Sequence, residues 1–430
     1  MLVAGVLLLL LVLLLLRVPV GFAIGLSGLV GLISYGGLPV LAGFLETVPH
    51  SAIASHSLAP IPLFILMAQF VLLSGVASEL FDAARVWVGR LPAGLGVGTT
   101  VSGAAFAAVS GSSTAAAATL AATSIPEMED RGYDGRLANG LVAVVGTLAA
   151  MVPPSIILVF YAILAEASVG KVLLAGFLPG LLVTLAIIAT TLLLVRRNPD
   201  LAPRGEAHPI AVKVRTLTAV GPVLLLFALV VGGIYFGLAT PTEAAALGAL
   251  GAFGLCAARR RLTLAGIRAA LGATLASSAM ILLIIMAAFL LGYFLTLTRV
   301  TQGLVDTIGG LAAPPTVVFL LIAVVYLVLG AFMDQIAILA LTVPIVLPVV
   351  EELGFDPIWF GVMVVLLAEI GLVTPPLGLN VFIVARATGR PPEQIFRAVV
   401  PYIAAMLLLV LLFTAFPQIV LWIPETMGGS

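Results

Sequence analysis

The chain of 430 residues contains one cysteine, Cys256, and three histidines. A single thiol excludes a disulfide framework and any cysteine-rich metal site. Charge is scarce too: Asp, Glu, Lys and Arg make up 9% of the residues, and the formal net charge is zero. That balance excludes nucleic acid or an acidic macromolecule as the principal ligand. No glycine-rich loop ends in Gly-Lys-Ser or Gly-Lys-Thr, so there is no phosphate cradle for hydrolysing ATP. His50, His56 and His208 are all expected in loops, which leaves every apolar run without a histidine.

What the chain has instead is apolar surface. Hydrophobic residues make up 62% of it, and several runs exceed the roughly 18 residues that cross a bilayer. This is the composition of an all-α, multi-pass membrane protein, with lipid as its surroundings. The opening run, "MLVAGVLLLLLVLLLLRVPVG", has neither a basic stretch before it nor a small-residue cleavage site before Arg17, so it reads as a retained first span.

Prolines reveal a duplication. Shifted by 222 residues, Pro19 falls on Pro241, Pro92 on Pro314, Pro126 on Pro348, Pro153 and Pro154 on Pro375 and Pro376, and Pro179 on Pro401. Six of the twelve prolines in the first 208 positions find a partner, where chance gives about one. Proline breaks or kinks helices, so matched prolines imply matched irregularities. Two repeats are expected, 1–208 and 209–430, each with five spans and one interrupted hairpin. In the first, spans fall near 2–16, 19–35, 58–77, 138–165 and 172–195, with the hairpin over about 91–125. In the second, the hairpin covers about 313–347 and the broken span about 359–385.

An odd number of spans per repeat gives the two halves opposite orientations. With both termini outside, 17 of the 19 Lys and Arg fall on one side, among them Arg85, Arg90, Arg131, Arg136 and Arg390, and the positive-inside rule makes that side cytoplasmic. The first hairpin then enters from the cytoplasm and the second from outside. Two tips, "SGSS" (Ser110–Ser113) and "GAFMDQ" (Gly330–Gln335), meet near the midplane. Irregular backbone at that depth is tolerated only where protein or a water-filled cavity satisfies it. Secondary transporters build their sites from broken helices of this kind in inverted repeats.

Each tip has a neighbour. "MVPPSI" and "TPPLGLN" interrupt the spans that follow the hairpins, and a Pro-Pro pair removes two donors and frees carbonyls upstream. Carbonyls and hydroxyls suit a hard monovalent cation, so two symmetry-related sodium sites are expected. The first is assigned to Ser110, Ala149, Val152 and Pro154 with Ser113 nearby, and the second to Gly330, Gly371, Thr374 and Leu377. Beside the first, Gly111, Ser112 and Ser155 are candidate substrate contacts. Beside the second, they are Met333, Asp334, Pro375, Pro376 and Asn380. The plain alternative is that these small residues let helices pack closely, but two tips and two Pro-Pro breaks at one shift favour the sites.

Few charges lie within spans. Asp334 either touches a cation or caps the helix that follows it. Glu369 either carries a proton, pairs with an arginine of another chain, or is a buried carboxyl bonded to backbone. Glu243, after "ATPT", reads as a helix-start carboxylate. Residues 262–275 and their counterpart, roughly Leu38 to His56, read as arms lying in opposite membrane interfaces.

Several motifs, in order and at full length, resemble the large membrane subunit of TRAP transporters, the tripartite ATP-independent periplasmic carriers of the ion transporter superfamily. They are "RVPVGFAIGLSG", "SGSSTA", "PEMEDRGYD", "MVPPSI", "ATPTEAAALGA", "FMD" and "TPPLGLNVF". The resemblance implies a sodium-coupled importer of the bacterial inner membrane that works by an elevator motion. It also implies a separate small four-helix membrane subunit and a periplasmic binding protein that delivers an organic acid, such as a C4-dicarboxylate or a sialic acid. The hairpin and broken-span residues above match positions that family uses for sodium. A stand-alone sodium- or proton-coupled anion carrier, needing no binding protein, is the alternative. An intramembrane protease is disfavoured: Ser112 and Ser113 have no histidine base in any span, and Asp334 is alone at depth. No enzymatic activity is expected.

Overall fold

Proline and glycine decide where the helices of this chain begin, bend and end. The computed structural model describes residues 2–53, 55–88, 91–203, 209–309 and 314–427, and they are overwhelmingly helical. Arg90, His208 and the start of the second hairpin at 313 lie outside the described residues. His50 falls within a helix rather than a loop, and His56 opens a short 3₁₀ turn.

The first helix, α1 (Leu2–Leu15), has 14 residues and a length of about 21 Å, which is short for the span expected there. α2 (Val20–Ile53) is broken at Gly37, whose φ of 73° suits a residue without a Cβ. α3 (Pro60–Ser74) starts on proline and stops at Gly75 in the left-handed region, and α4 (Val76–Val88) follows at once. The first hairpin is α5 (Gly94–Ser110) and α6 (Ser113–Asp130), which pack on each other. The broken span is α7 (Gly135–Val145), α8 (Leu148–Met151) and α9 (Ile156–Leu164), bent by 47°. α10 (Val169–Ala175) and α11 (Phe177–Arg197) together form one run long and apolar enough to cross a membrane.

The second half runs through α12 (Ile210–Tyr235), α13 (Pro241–Ala258), α14 (Leu264–Leu297) and α15 (Val300–Gly309). Its hairpin is α16 (Pro315–Phe332) and α17 (Gln335–Glu352), and its broken span α18 (Pro357–Gly371) and α19 (Leu379–Thr388). α20 (Pro392–Ala415) and α21 (Gln418–Thr426) end it. Eight of the described helical runs are long and apolar enough to cross a membrane, or up to ten if each bent pair is one span. The fold is all-α and multi-pass.

Burial separates a centre from a rim. Every residue of α18 from Trp359 to Gly371 is buried, as is every residue of α7 from Leu137 to Val145. Helices buried all round belong in the protein's interior rather than against lipid. By contrast α12, α13, α14, α16 and α20 expose Leu225, Leu250, Leu275, Leu321 and Leu408, the surface a bilayer would cover. α2 packs along α14, and α3 along α13. Under the 222-residue shift α13 falls on the first part of α2, and α3 on the last part of α14, so the two pairings correspond at that interval.

The arms differ from expectation. In the first half the arm continues α2 past the Gly37 kink and is separated from α3 by the short turn at His56–Leu58. In the second half residues 264–275 run without interruption into the span that ends at Leu297. The physical reason is local. The counterpart of Gly37 is Arg259, which stands at the end of α13, and Thr263 then starts α14 by accepting from Gly266 N–H at 3.0 Å. The first half kinks where the second half stops and restarts.

Candidate functional site

The two hairpins turn within two residues each. α5 ends at Ser110, Gly111 takes a φ of 59°, and Ser112 caps α6 by accepting from Ala115 N–H at 3.4 Å. A Cβ on Gly111 would lie 3.1 Å from the Ile156 side chain, which seats this tip against the start of α9. At the other tip Met333 is extended and Asp334 caps α17, accepting from Ala337 N–H at 3.1 Å. Asp334 is thus a helix cap, and it is also exposed.

The tips touch each other. Ser113, the first residue of α6, accepts a 3.0 Å hydrogen bond from Nε2 of Gln335, the first residue of α17. Both donate to Oε1 of Glu369 in α18, Ser113 through its hydroxyl at 2.5 Å. Glu369 is a buried carboxyl, and its bonds go to side chains rather than to backbone.

The Pro-Pro breaks lie beside these tips. Both Pro153–Pro154 and Pro375–Pro376 are cis. Prolines at 153 and 154 offer no N–H to the carbonyls of Ala149 and Ala150 one turn back. A Cβ on Gly146 would meet the Ser113 carbonyl at 3.0 Å, so the first broken span packs on the first tip. In the second, the Gly330 and Gly371 backbones are in direct contact, and a Cβ on Gly371 would run into the Gly330 Cα. Asn380 reaches across, its N–H to the Leu372 carbonyl at 3.2 Å and its Nδ2 to the Ala143 carbonyl at 3.4 Å. The first break is largely buried, whereas Pro375, Pro376 and Leu377 are exposed.

Oxygen chemistry at these positions suits a cation. The Ser110 hydroxyl is buried with no hydrogen-bond partner among the described residues. Thr374 Oγ1 donates to the Ile370 carbonyl at 2.7 Å, which leaves its lone pairs free to accept. The Gly371 carbonyl takes Thr374 N–H at 2.9 Å and keeps its second lone pair.

A cavity of about 430 Å³ opens between the tips and the helices α3 and α14. Of the residues singled out from sequence, Ser110, Gly111, Ser112, Ser113 and Asp334 line it. Ser155, Met333, Pro375, Pro376 and Asn380 do not; Ser155 and Asn380 are fully buried, and Ser155 caps α9 through Leu158 N–H at 3.2 Å. Gln335, Gln69 and Ser277 line the cavity without having been singled out. A signal for Gln335 exists, since it stands 222 residues from Ser113.

The base of the first hairpin is closed by the "PEMEDRGYD" stretch. Tyr133 hydroxyl accepts from Leu95 N–H at 3.0 Å, Glu127 pairs with Arg85 and with Arg131, and Glu129 pairs with Arg390 at 2.8 Å. The neighbouring Asp134 is held below the usual carboxylate range by its hydrogen bonds to Arg136.

Residues 7–419 match the family described as Tripartite ATP-independent periplasmic transporter, DctM component. The chain belongs to this family. The DctM component is the large permease, and three relatives illustrate its range. The C4-dicarboxylate TRAP transporter large permease protein DctM of Pseudomonas aeruginosa is 35% identical over 378 residues, 87% of this chain and 88% of the relative. The sialic acid TRAP transporter large permease protein SiaM of Vibrio cholerae is 31% identical over 416 residues, 96% of each. The isethionate TRAP transporter permease protein DctMQ of Oleidesulfovibrio alaskensis is 32% identical over 407 residues, and the chain spans 63% of that relative's length. The fold is also similar to the YdaH transporter of Alcanivorax borkumensis, with a TM-score of 0.65 at 17% identity over 89% of this chain and 90% of that one.

Proposed function

We propose that this large permease imports a small organic anion together with sodium, the anion being handed over by a periplasmic binding protein. One observation carries the reading. The cavity between the tips holds a carboxylate, Asp334, and among the described residues no basic side chain lines it. An organic anion binds in such a place only with cations beside it, and the start of α6 adds a favourable helix dipole. Sodium at Ser110, Ser113, Ala149, Val152 and Pro154, and at Gly330, Gly371, Thr374 and Leu377, supplies that positive charge from opposite sides.

The permease sits in the inner membrane with both termini on the periplasmic side. Its halves, 1–208 and 209–430, are inverted repeats, and their hairpins move with the broken spans against α2, α3, α13 and α14 in an elevator stroke. A small four-helix membrane subunit braces the outer helices. C4-dicarboxylates, sialic acid and isethionate appear in the names of the relatives, and all are acids, which supports the substrate class.

Uptake into proteoliposomes tests this. With both partners present, uptake is expected to require an inward sodium gradient. Robust proton-driven uptake by the isolated chain without sodium would overturn it in favour of a stand-alone carrier.

A further inference from the structure

Away from the tips, another cavity, of about 680 Å³, opens where α7 begins, α11 ends and α20 begins. Three arginines, Arg136, Arg390 and Arg397, and one carboxylate, Asp134, line it. Two of the guanidiniums are held by carboxylates. Arg136 donates to Asp134 through Nε and Nη2, and Arg390 donates to Glu129 through the same two atoms. A guanidinium has five N–H groups, so each keeps donors for a further acceptor. The Arg397 guanidinium has no ion pair and no hydrogen bond among the described residues. With Glu129 included, three positive charges stand against two negative ones, and Arg397 is the surplus.

The lining changes character along α20. Gln394 and Arg397 share a stripe of that helix with Ala398 and Pro401, at the spacing of one helical face. The donors stand in the first two turns, and the apolar residues follow toward the middle of the span, joined by Leu194 of α11. Leu193 and Val400, beside that apolar floor in sequence, are exposed as lipid-facing residues are. A basic mouth above an apolar floor matches a phospholipid, with phosphate at the mouth and acyl chain below. The other half of the chain has no such lining. At the 222-residue interval Arg390, Gln394 and Arg397 fall on Ser168, Val172 and Ala175, and Arg136 falls on Ile358, none of them charged.

We propose that this cavity binds the headgroup phosphate of an anionic phospholipid, with Arg397 as its principal contact and Arg136 and Arg390 beside it. Basic pockets between membrane helices on the cytoplasmic side hold anionic headgroups in this way, and that is the side on which the proposed orientation puts these arginines. A lipid seated here joins α7, the first piece of a broken span, to α11 and α20. The site does not depend on the sodium reading.

The test is thermal unfolding of the purified full chain in neutral detergent, titrated with phosphatidylglycerol, phosphatidylcholine or inorganic phosphate. Phosphatidylglycerol is expected to stabilise the wild type saturably, and more than phosphatidylcholine at equal mole fraction. Arg397→Gln changes an exposed side chain and is expected to raise the phosphatidylglycerol needed for half-maximal stabilisation about fivefold. Arg215→Gln changes an exposed arginine of α12 outside the cavity and is expected to leave that titration unchanged. Equal stabilisation by the two lipids overturns the proposal. An equal loss in both variants also overturns it, because it marks diffuse surface charge. Stabilisation by inorganic phosphate as strong as by phosphatidylglycerol, and lost in Arg397→Gln, assigns the cavity to free phosphate and overturns the lipid. If Arg397→Gln does not fold, Arg136→Gln takes its place with the same expected loss, and an unchanged titration there overturns the site.

Discussion

Ser113 and Gln335 stand 222 positions apart in the chain and 3.0 Å apart in space, oxygen to nitrogen. The interval is the one at which the prolines superimpose. In the proposed inverted-repeat arrangement, equivalent residues touch only where the axis relating the two halves passes between them. The tips would then meet on that axis, and whatever disturbs one hairpin is felt directly by the other.

Removing one hydroxyl should weaken one sodium site in part. Ser110→Ala deletes a single oxygen while carbonyls supply the rest, and a loss of about 1–2 kcal/mol in sodium affinity is expected. That is roughly a tenfold rise in the sodium concentration for half-maximal uptake. Thr374→Val should act alike while keeping the β-branch. Unchanged half-saturation in both, at matched protein levels, would leave these residues as packing alone.

Gly371→Ala should be destabilising, because the new methyl would meet the Gly330 backbone and no flexible side chain can yield. Overpacking of this sort costs about 1–3 kcal/mol. Gly272→Ala in α14 is the control, since nothing lies within 4 Å of a Cβ there. Thermal unfolding in detergent compares the two, and equal melting temperatures would contradict the close contact.

The orientation of the halves predicts an accessibility pattern. With Cys256 replaced by alanine, a cysteine at Asp200 should label from the cytoplasmic side and one at Glu352 from the periplasmic side. Both positions are exposed. Labelling of both from the same side would refute inverted repeats.

Glu127→Gln should loosen the base of the first hairpin by under about 1 kcal/mol, since its ion pairs with Arg85 and Arg131 are partly exposed. The loss should fade near 1 M salt, where charges are screened within about 3 Å. Melting temperatures at low and high salt measure it, and a loss that ignores salt would place Glu127 in packing instead.

Much of this architecture is legible in the sequence because proline and glycine act locally. Both hairpin turns fall inside the stretches named from sequence, and both Pro-Pro breaks interrupt helices as expected. What sequence does not reveal is which side chains meet across the fold. Glu369 gives no local sign that its partners are 256 and 34 residues away. Gln69 and Ser277 sit in apolar helices whose periodicity does not betray a shared cavity. The continuity of α14 is hidden for a similar reason. Charge and position suggest an arm there, yet no residue between Leu264 and Leu297 forbids one unbroken helix.

That continuity has a consequence for the surrounding lipid. α14 is 34 residues long, about 51 Å, and cannot stand upright within hydrocarbon about 30 Å thick. A helix too long for its bilayer tilts, or thickens the lipid around it. α2 has the same length but a joint at Gly37, so it can fold its excess along the surface. Of these two neighbouring helices, α14 is thereby tied to bilayer thickness, while α2 has a joint that can absorb a change in it.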